Sequence, residues 1–509
     1  MAKKICTNYG KCVLANTHED FSHEKRSLTY CPLCDKKLSE VVTPSRNIAS
    51  KVVLTVSAVF ILLVAFGFAL DRKWINAPSG ARAAELKGTQ TVILRLADSN
   101  TMQDSVAPGL AEAYLKAQGA TDIQTISGAD PQVEIVQGIL PGDGAASSIE
   151  IAARSSEDAL TALADNSCDI VGITSRRLQS DQTGKLAAKS SLPAAASEHV
   201  LGLDGIAVIV NASNPLSELR KDTIKRIFTG EITDWSRVGS SHGAIQIYSR
   251  EDQSGISSSF RGMVLAGMQL TPSAHIYQDS NELSLAVSRD PNGIGFVSLP
   301  FIHTAKSIAV SDKGTDALKP TRLTVATEDY PLSRRLYLYA PETPQNAFTQ
   351  RFIEFALSAQ GQDVVAANGY IAQNVVASAQ STISKTAPDE YKQLTQDAER
   401  LSLDLRFSAG DLEKDTKAQA DLDRVVSMVA DEGGAKNKIL LFGFTDNAGA
   451  SDANQAVSLN RAKIVEKEFI KRGIKPYVVR GFGSDLPVAS NETADGREMN
   501  RRVEIWMTR

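Results

Sequence analysis

"LGLDGIAVIVNASNPLSELRKDTIKRIFTGEITDWSRVG" (Leu201–Gly239) decides the fold class. "GIAVIV" is an unbroken apolar run of the length of a buried strand, and "KDTIKRIFTG" is a helical stretch that stops at a glycine. The same alternation continues on both sides. Upstream, "TVILRLA" reads as a strand, "SVAPGLAEAYLKAQG" as a helix ended by glycine, and "CDIVGI" as another buried strand. Short apolar strands alternating with helices predict an α/β domain over residues 91–376.

The chain is 509 residues long, which implies more than one domain. Its 55 basic and 59 acidic residues leave a formal net charge of −4. That balance supplies no field for nucleic acid, so partners must be sought in local sites. A hydrophobic content of 42% is enough to bury a large core.

"VVLTVSAVFILLVAFGFAL" (Val52–Leu70) carries no charge. At ~1.5 Å per residue it is long enough for a hydrocarbon layer of ~30 Å. A cleaved signal peptide is the alternative, but the apolar run is too long and begins too far from the N-terminus. Lys36, Lys37, Arg46 and Lys51 precede it, whereas Arg72 and Lys73 follow beside Asp71. The bias predicts a single-pass inner-membrane protein with a cytoplasmic N-terminus and the bulk of the chain in the periplasm. Residues 71–90 read as a juxtamembrane linker. Residues 377–395, polar and poor in large aliphatics, read as a second one.

Cys6, Cys12, Cys31 and Cys34 cluster before the span. "CPLC" places two thiolates across a tight turn, where they can share one tetrahedral ion. Four thiolates would hold a structural Zn2+ with no open position. A disulfide is the weaker alternative in a reducing cytosol, and a non-ligand role for Cys6 or Cys12 stays open. "CPLCDKKL" resembles the second knuckle of zinc ribbons, giving a ribbon-like segment over 1–45. Cys168, just before "DIVGI", reads as a small core residue.

"IYSREDQSGISSSF" (Ile247–Phe260) concentrates a cation, a carboxylate and several hydroxyls. A Ser-Gly turn opening a helix offers backbone N–H groups to an anion, and Arg250 can donate in bidentate fashion. Asp252 makes sense if the anion still carries a proton, as hydrogen phosphate does and sulfate does not. Arg250 and Asp252 pairing only with each other at a surface turn is the plainer alternative. The spacing of Arg250, Asp252, Ser254 and Gly255 resembles the anion loop of PstS-type periplasmic phosphate-binding proteins. "LADSNTMQDSVAPGLAEAY", "CDIVGITSRRL", the opening stretch and "NGIGFV" resemble other parts of that family over about 280 residues. The resemblance implies a bilobal type II periplasmic-binding-protein fold. It adds Ser99, Asn100, Thr101, Ser155 and Ser156 as phosphate ligands, with an ABC transporter permease as a partner. Ile256 stands where the family often has threonine, and "ARSSEDAL" (Ala153–Leu160) replaces the family's second Ser-Gly-rich loop, where Glu157 and Asp158 add negative charge. Asp204 reads as structural rather than as a ligand group.

"ILLFGFTDNAGASDANQAVSLNRAKIVEKEFIKRGI" (Ile439–Ile474) gives a strand, a polar loop and a helix. Asn454, Ser458 and Arg461 fall on one helix face. A carboxylate at Asp446 and a guanidinium at Arg461 suit a zwitterion. This stretch and "GFGSDLPVASNETADGREMNRRVEI" closely resemble the OmpA-type peptidoglycan-binding domain, here an α/β domain over 396–509. The resemblance implies that Asp446 and Arg461 bind the diaminopimelate of the stem peptide, with Asn454, Arg501 and Arg502 in support.

No nucleophile–base constellation is visible, so the chain is expected to bind rather than catalyse. The expectation is an extracytoplasmic phosphate receptor for uptake or sensing, tethered to peptidoglycan. The alternative is a structural envelope tether whose ligand site has degenerated.

Overall fold

A computed structural model describes residues 3–5, 39–41, 91–98, 106–142, 145–154, 156–173, 198–240, 243–252, 254–341, 344–379, 383–407, 416–431 and 438–508. Residues 1–87 and 88–509 form two separate units. In the first, β1 (Lys3–Ile5) pairs antiparallel with β2 (Ser39–Val41). The four clustered cysteines and the apolar stretch 52–70 lie outside the described residues. Among the described residues, no helix is long and apolar enough to cross a membrane.

The second unit begins with β3 (Thr91–Asp98), β4 (Thr121–Ser127), β5 (Val133–Ile139), β6 (Ala146–Ala153), β7 (Ile170–Ile173) and β8 (Glu198–Val210). Then come β9 (Glu218–Arg220), β10 (Gln246–Arg250), β11 (His275–Tyr277), β12 (Gly293–Ser298), β13 (Lys306–Ser307), β14 (Ala309–Ser311) and β15 (Ser333–Tyr339). Ten of these follow one path, β11-β10-β12-β8-β15-β7-β3-β6-β5-β4, with β13 beside β8. β8 belongs to both halves. Its residues 198–205 pair with β15, and 206–210 pair with β12.

Two cores flank that changeover, as expected of two lobes. Lobe 1 packs Leu94, Leu110, Tyr114, Ile149 and Phe352. Lobe 2 packs Ile224, Phe228, Trp235, Phe260 and Phe296, with Phe260 stacked on Phe296 at 3.9 Å. The chain passes between lobes at 205/206 and again at 332/333, where the Ile206 amide donates to the Leu332 carbonyl at 2.9 Å. Asp204 is fully buried at this point and accepts two bonds from Arg334, at 2.9 and 2.7 Å. Its other oxygen accepts from the Leu299 amide. Asp204 is thus structural, as its sequence suggests. Cys168 lies in the core against the helix Ser156–Ala164, where burial pushes its thiol up to about 12.

The C-terminal domain is a sheet of β16 (Ala377–Ser378), β17 (Glu399–Arg406), β18 (Lys438–Gly443), β19 (Val478–Gly481) and β20 (Arg502–Thr508), in the order β16-β17-β20-β18-β19. Val503, Ile505 and Met507 point to one core, as their alternation predicts. Residues 377–395 are not the connector expected from their composition. Ala377 and Ser378 pair with Leu401 and Arg400, and 389–395 form a helix. Tyr391 from this helix is buried among Phe442, Phe444, Phe482 and Trp506. One aromatic supplies the burial that aliphatic content did not advertise, and the domain starts near 377.

Asp204→Ala would leave Arg334 buried without its carboxylate. A loss of about 3–5 kcal/mol is expected, read from the urea midpoint. An unchanged midpoint would show that the pair does not hold the crossover.

Candidate functional site

Lobe 1 and lobe 2 each run strands parallel, and ligands of open α/β sheets bind beyond the carboxyl ends of such strands. β3 lies between β6 and β7, parallel to both, with Asp98 level with Ala153 and Gly172. The C-terminal ends of these three strands therefore lie side by side. In lobe 2, β10 is parallel to β11 and β12 and ends at Arg250. The Arg250 stretch of the sequence reading thus begins at a C-terminal strand end.

In lobe 2, Ser254 accepts from the Ser257 amide and caps the helix Gly255–Phe260, which runs on as a π-helical turn to Leu265. Gly255 is the first residue of that helix. Ile256 faces the lobe core and is fully buried, which accounts for an apolar residue there. Arg250 is 3% exposed. Its guanidinium donates to the Ser280 hydroxyl and, at 2.6 Å, to the Gln278 carbonyl.

Asp252 goes elsewhere. Its side chain is 62% exposed and meets Arg261 at 3.1 Å. The structure therefore does not gather Asp252 with Arg250, and it shows no pair between them. A carboxylate two residues past a strand end has swung out to solvent, where it meets the helix that follows. Ser99, Asn100, Thr101 and Ser155 lie outside the described residues, and Ser156 opens the helix Ser156–Ala164.

Two residues at these strand ends escaped the sequence reading. Asp98 is 1% exposed at the last position of β3, a charged group closing an apolar strand. Ser280 starts the helix Ser280–Arg289, whose Asp279 cap marks a helix entry.

A second site lies in the C-terminal domain. The helix Ser451–Lys471 buries Asn454, Ser458 and Arg461 on one face, as their spacing predicts. Gly443 and Gly481 admit that helix. A Cβ on Gly443 would lie 2.0 Å from the Ser458 carbonyl oxygen, and one on Gly481 2.4 Å from the Leu459 nitrogen. Asp446, just past β18, accepts from the Ala448 amide at 3.0 Å and from Arg501 at 3.0 Å. Burial opposes its charge, yet the Ala448 amide and Arg501 outweigh it and hold the carboxyl below its usual range. Arg461 donates to the Phe444 carbonyl and lies over the Phe407 ring, 5.8 Å from its centroid. Burial and the neighbouring Arg501 lower its basicity, while Asp446 works against them. Arg501 touches Asp446 directly as support. Arg502 faces away, paired with Glu504 at 2.7 Å and stacked over Phe444.

A family description reading "PBP superfamily domain" matches residues 106–360, and the OmpA family matches residues 406–501. The chain belongs to the PBP superfamily. It also carries an OmpA family domain. The chain is similar to Phosphate-binding protein PstS of Bacillus subtilis (strain 168), with 28% identity over 176 residues, 34% of this chain and 57% of that protein. It is also similar to Phosphate-binding protein PstS of Staphylococcus haemolyticus (strain JCSC1435), with 30% identity over 206 residues, 39% of this chain and 61% of that protein. It thus spans under two thirds of the length of these two relatives. Among solved structures, an ABC-type phosphate transport receptor from Vibrio cholerae aligns with 20% identity and a TM-score of 0.43, over 55% of this chain and 99% of that one. Both PstS relatives are named as phosphate-binding proteins.

Proposed function

We propose that the chain is a membrane-anchored, extracytoplasmic receptor for inorganic phosphate or a similar tetrahedral oxyanion, tethered to peptidoglycan. The observation that carries the ligand reading is Arg250, 3% exposed at the C-terminal end of β10, a strand parallel to β11 and β12, where ligands of open α/β sheets bind. Its guanidinium, already oriented by Ser280 and Gln278, would present N–H groups to the anion without reorganisation. Residues 52–70 would anchor the chain in the inner membrane. An ABC transporter permease or a cytoplasmic reporting partner would receive the signal or the ligand.

The tether reading rests on Asp446, Arg461 and Asn454. Asp446 would take the ammonium of the diaminopimelate stem and Arg461 its carboxylate, with Arg501 keeping Asp446 charged. Cys6, Cys12, Cys31 and Cys34 would hold a structural Zn2+. The pairing of β1 with β2 supports this, because it joins the two ends of the cysteine-bearing segment. The rival reading, a tether with a degenerate ligand site, draws on the outward turn of Asp252 toward Arg261.

Calorimetry of the detergent-extracted chain should show phosphate binding. Arg250→Ala should weaken it by about 1.5–3 kcal/mol, roughly ten- to a hundredfold. Heat from neither phosphate nor sulfate would select the degenerate tether. Isolated peptidoglycan should co-sediment the wild type and release both Asp446→Ala and Arg461→Ala; retention of both variants would reject the pocket. Under reducing conditions the chain should carry about one zinc that Cys31→Ser loses, and a metal-free wild type would refute the zinc site.

A further inference from the structure

We infer that lobe 2 and the C-terminal domain form one rigid platform, so that a closing movement swings lobe 1 against a base fixed to the wall. The contact that joins them is ionic and almost dry. Arg406, at the end of β17, has a side chain only 5% exposed. It donates to the Thr327 carbonyl and lies 3.5 Å from both Glu328 and Asp329, all three on lobe 2. Arg400, also on β17, meets Asp329 at 2.8 Å and Asp404 at 2.9 Å. Glu328 is gripped from the other side by Arg335, at 2.6 and 2.9 Å.

Parting the two bodies would strand Glu328, Asp329 and Arg406 without their cross-domain partners in a low-dielectric seam, so the seam resists opening. The lobe 2 turn is also shaped for this contact. Glu328 holds a left-handed backbone with φ of 59°, a conformation that side-chain-bearing residues persist in only where the surroundings enforce it. A second footing lies nearby. The Ser490 amide donates to Asp312, which Lys221 holds at 2.6 Å, and Lys313 pairs with Glu492. The loop carrying Ser490 also carries Asn491, which accepts from the Asn447 amide beside Asp446. The wall-binding loop is thereby braced against lobe 2.

Toward lobe 1 the hold is slight. Arg424 reaches Gln373 at 3.1 Å, and Gln373 in turn bonds the Val200 carbonyl on β8. That contact lies on β8, the strand that carries the crossover at 205/206. Independent movement is the default for two domains of one chain unless their interface is large or strongly bound. Here the strongly bound side is lobe 2. The swing of lobe 1 rests on the ligand reading above; the platform itself does not.

Pulsed dipolar distances in the detergent-extracted full chain test this, with spin labels on genetically encoded residues so that the native cysteines are left alone. Met268 on lobe 2, Ile470 on the C-terminal domain and Val92 on lobe 1 are exposed enough to carry them. The 268–470 distribution should be narrow and unchanged by saturating inorganic phosphate, while 92–470 shifts. Arg406→Gln should broaden 268–470, and Lys313→Ala, at the exposed rim, should broaden it less. A broad 268–470 distribution in the wild type, or one that moves with phosphate, overturns the platform. A narrow 268–470 distribution with no phosphate response at either pair upholds the platform and overturns the ligand reading instead.

Discussion

The Asp204–Arg334 pair sits where the fold is thinnest. Among the described residues two stretches of chain pass between the lobes at this point, and this pair bonds them side by side in register, Arg334 opposite Asp204. Both groups are almost fully removed from water, so losing either partner would leave the other buried and unpaired at this bond. Arg334 also reaches Ser259 and Ser298, both in lobe 2. Ser259 belongs to the helix that Ser254 caps. One guanidinium therefore connects the crossover to the helix next to Arg250. A change in that helix is felt at the crossover through two hydrogen bonds rather than through a long chain of packing contacts.

The two candidate sites use opposite means to set charge. Arg250 is deeply buried and steered by neutral partners, a hydroxyl and a carbonyl. Asp446 and Arg461 are steered by a third charge, Arg501, which favours the carboxylate and disfavours the guanidinium. The first arrangement fixes a cation for an anion arriving from water. The second keeps a carboxylate ionised in a half-buried pocket, ready for a group that brings its own positive charge. Glycines at 443 and 481 make the second possible, because any Cβ there would push the helix and Arg461 away from the strand end.

Much of this was legible in the sequence, for local reasons. The strand runs, the helix stopping at glycine 230 and the shared face of Asn454, Ser458 and Arg461 follow from period alone. Asp204 read as structural rather than as a ligand group, and its buried partner is Arg334. What stayed hidden depends on distant pairing. Asp252 was adjacent to Arg250 in sequence, but its partner is Arg261, across the capped turn. Tyr391 stood in a polar stretch, and nothing local shows the four aromatics it meets. "ATEDY" (Ala326–Tyr330) gave no hint that Glu328 and Asp329 face Arg406, 77 or more residues on.

The seam between lobe 2 and the C-terminal domain carries Glu328, Asp329, Asp404 and Glu504 against Arg400, Arg406 and Arg502, while Arg335 of β15 holds Glu328 from the lobe 1 side. These charges do not share the burden equally. Burial works against Glu328, Asp404 and Glu504, but in Glu504 it is outweighed by Arg400, Arg502, Tyr391 and Trp506, which hold it below its usual range. Glu328 is likewise repaid by Arg335, Lys417 and Arg406 and also stays low. Asp404 takes what is left: burial, with Asp329 and Glu504 close by, lifts it toward about 7 despite Arg400. The signs oppose each other. The lowered pair stabilises the folded form above the ordinary carboxylate range and loses that only as pH falls well below it. The raised Asp404 contributes fully below that range and loses its share as pH rises toward 7. Asp404 is thus the carboxylate of the network that burial drives most strongly toward its neutral form. A network of equal charges has become one with a single soft member, placed on β17 between the two arginines that grip lobe 2.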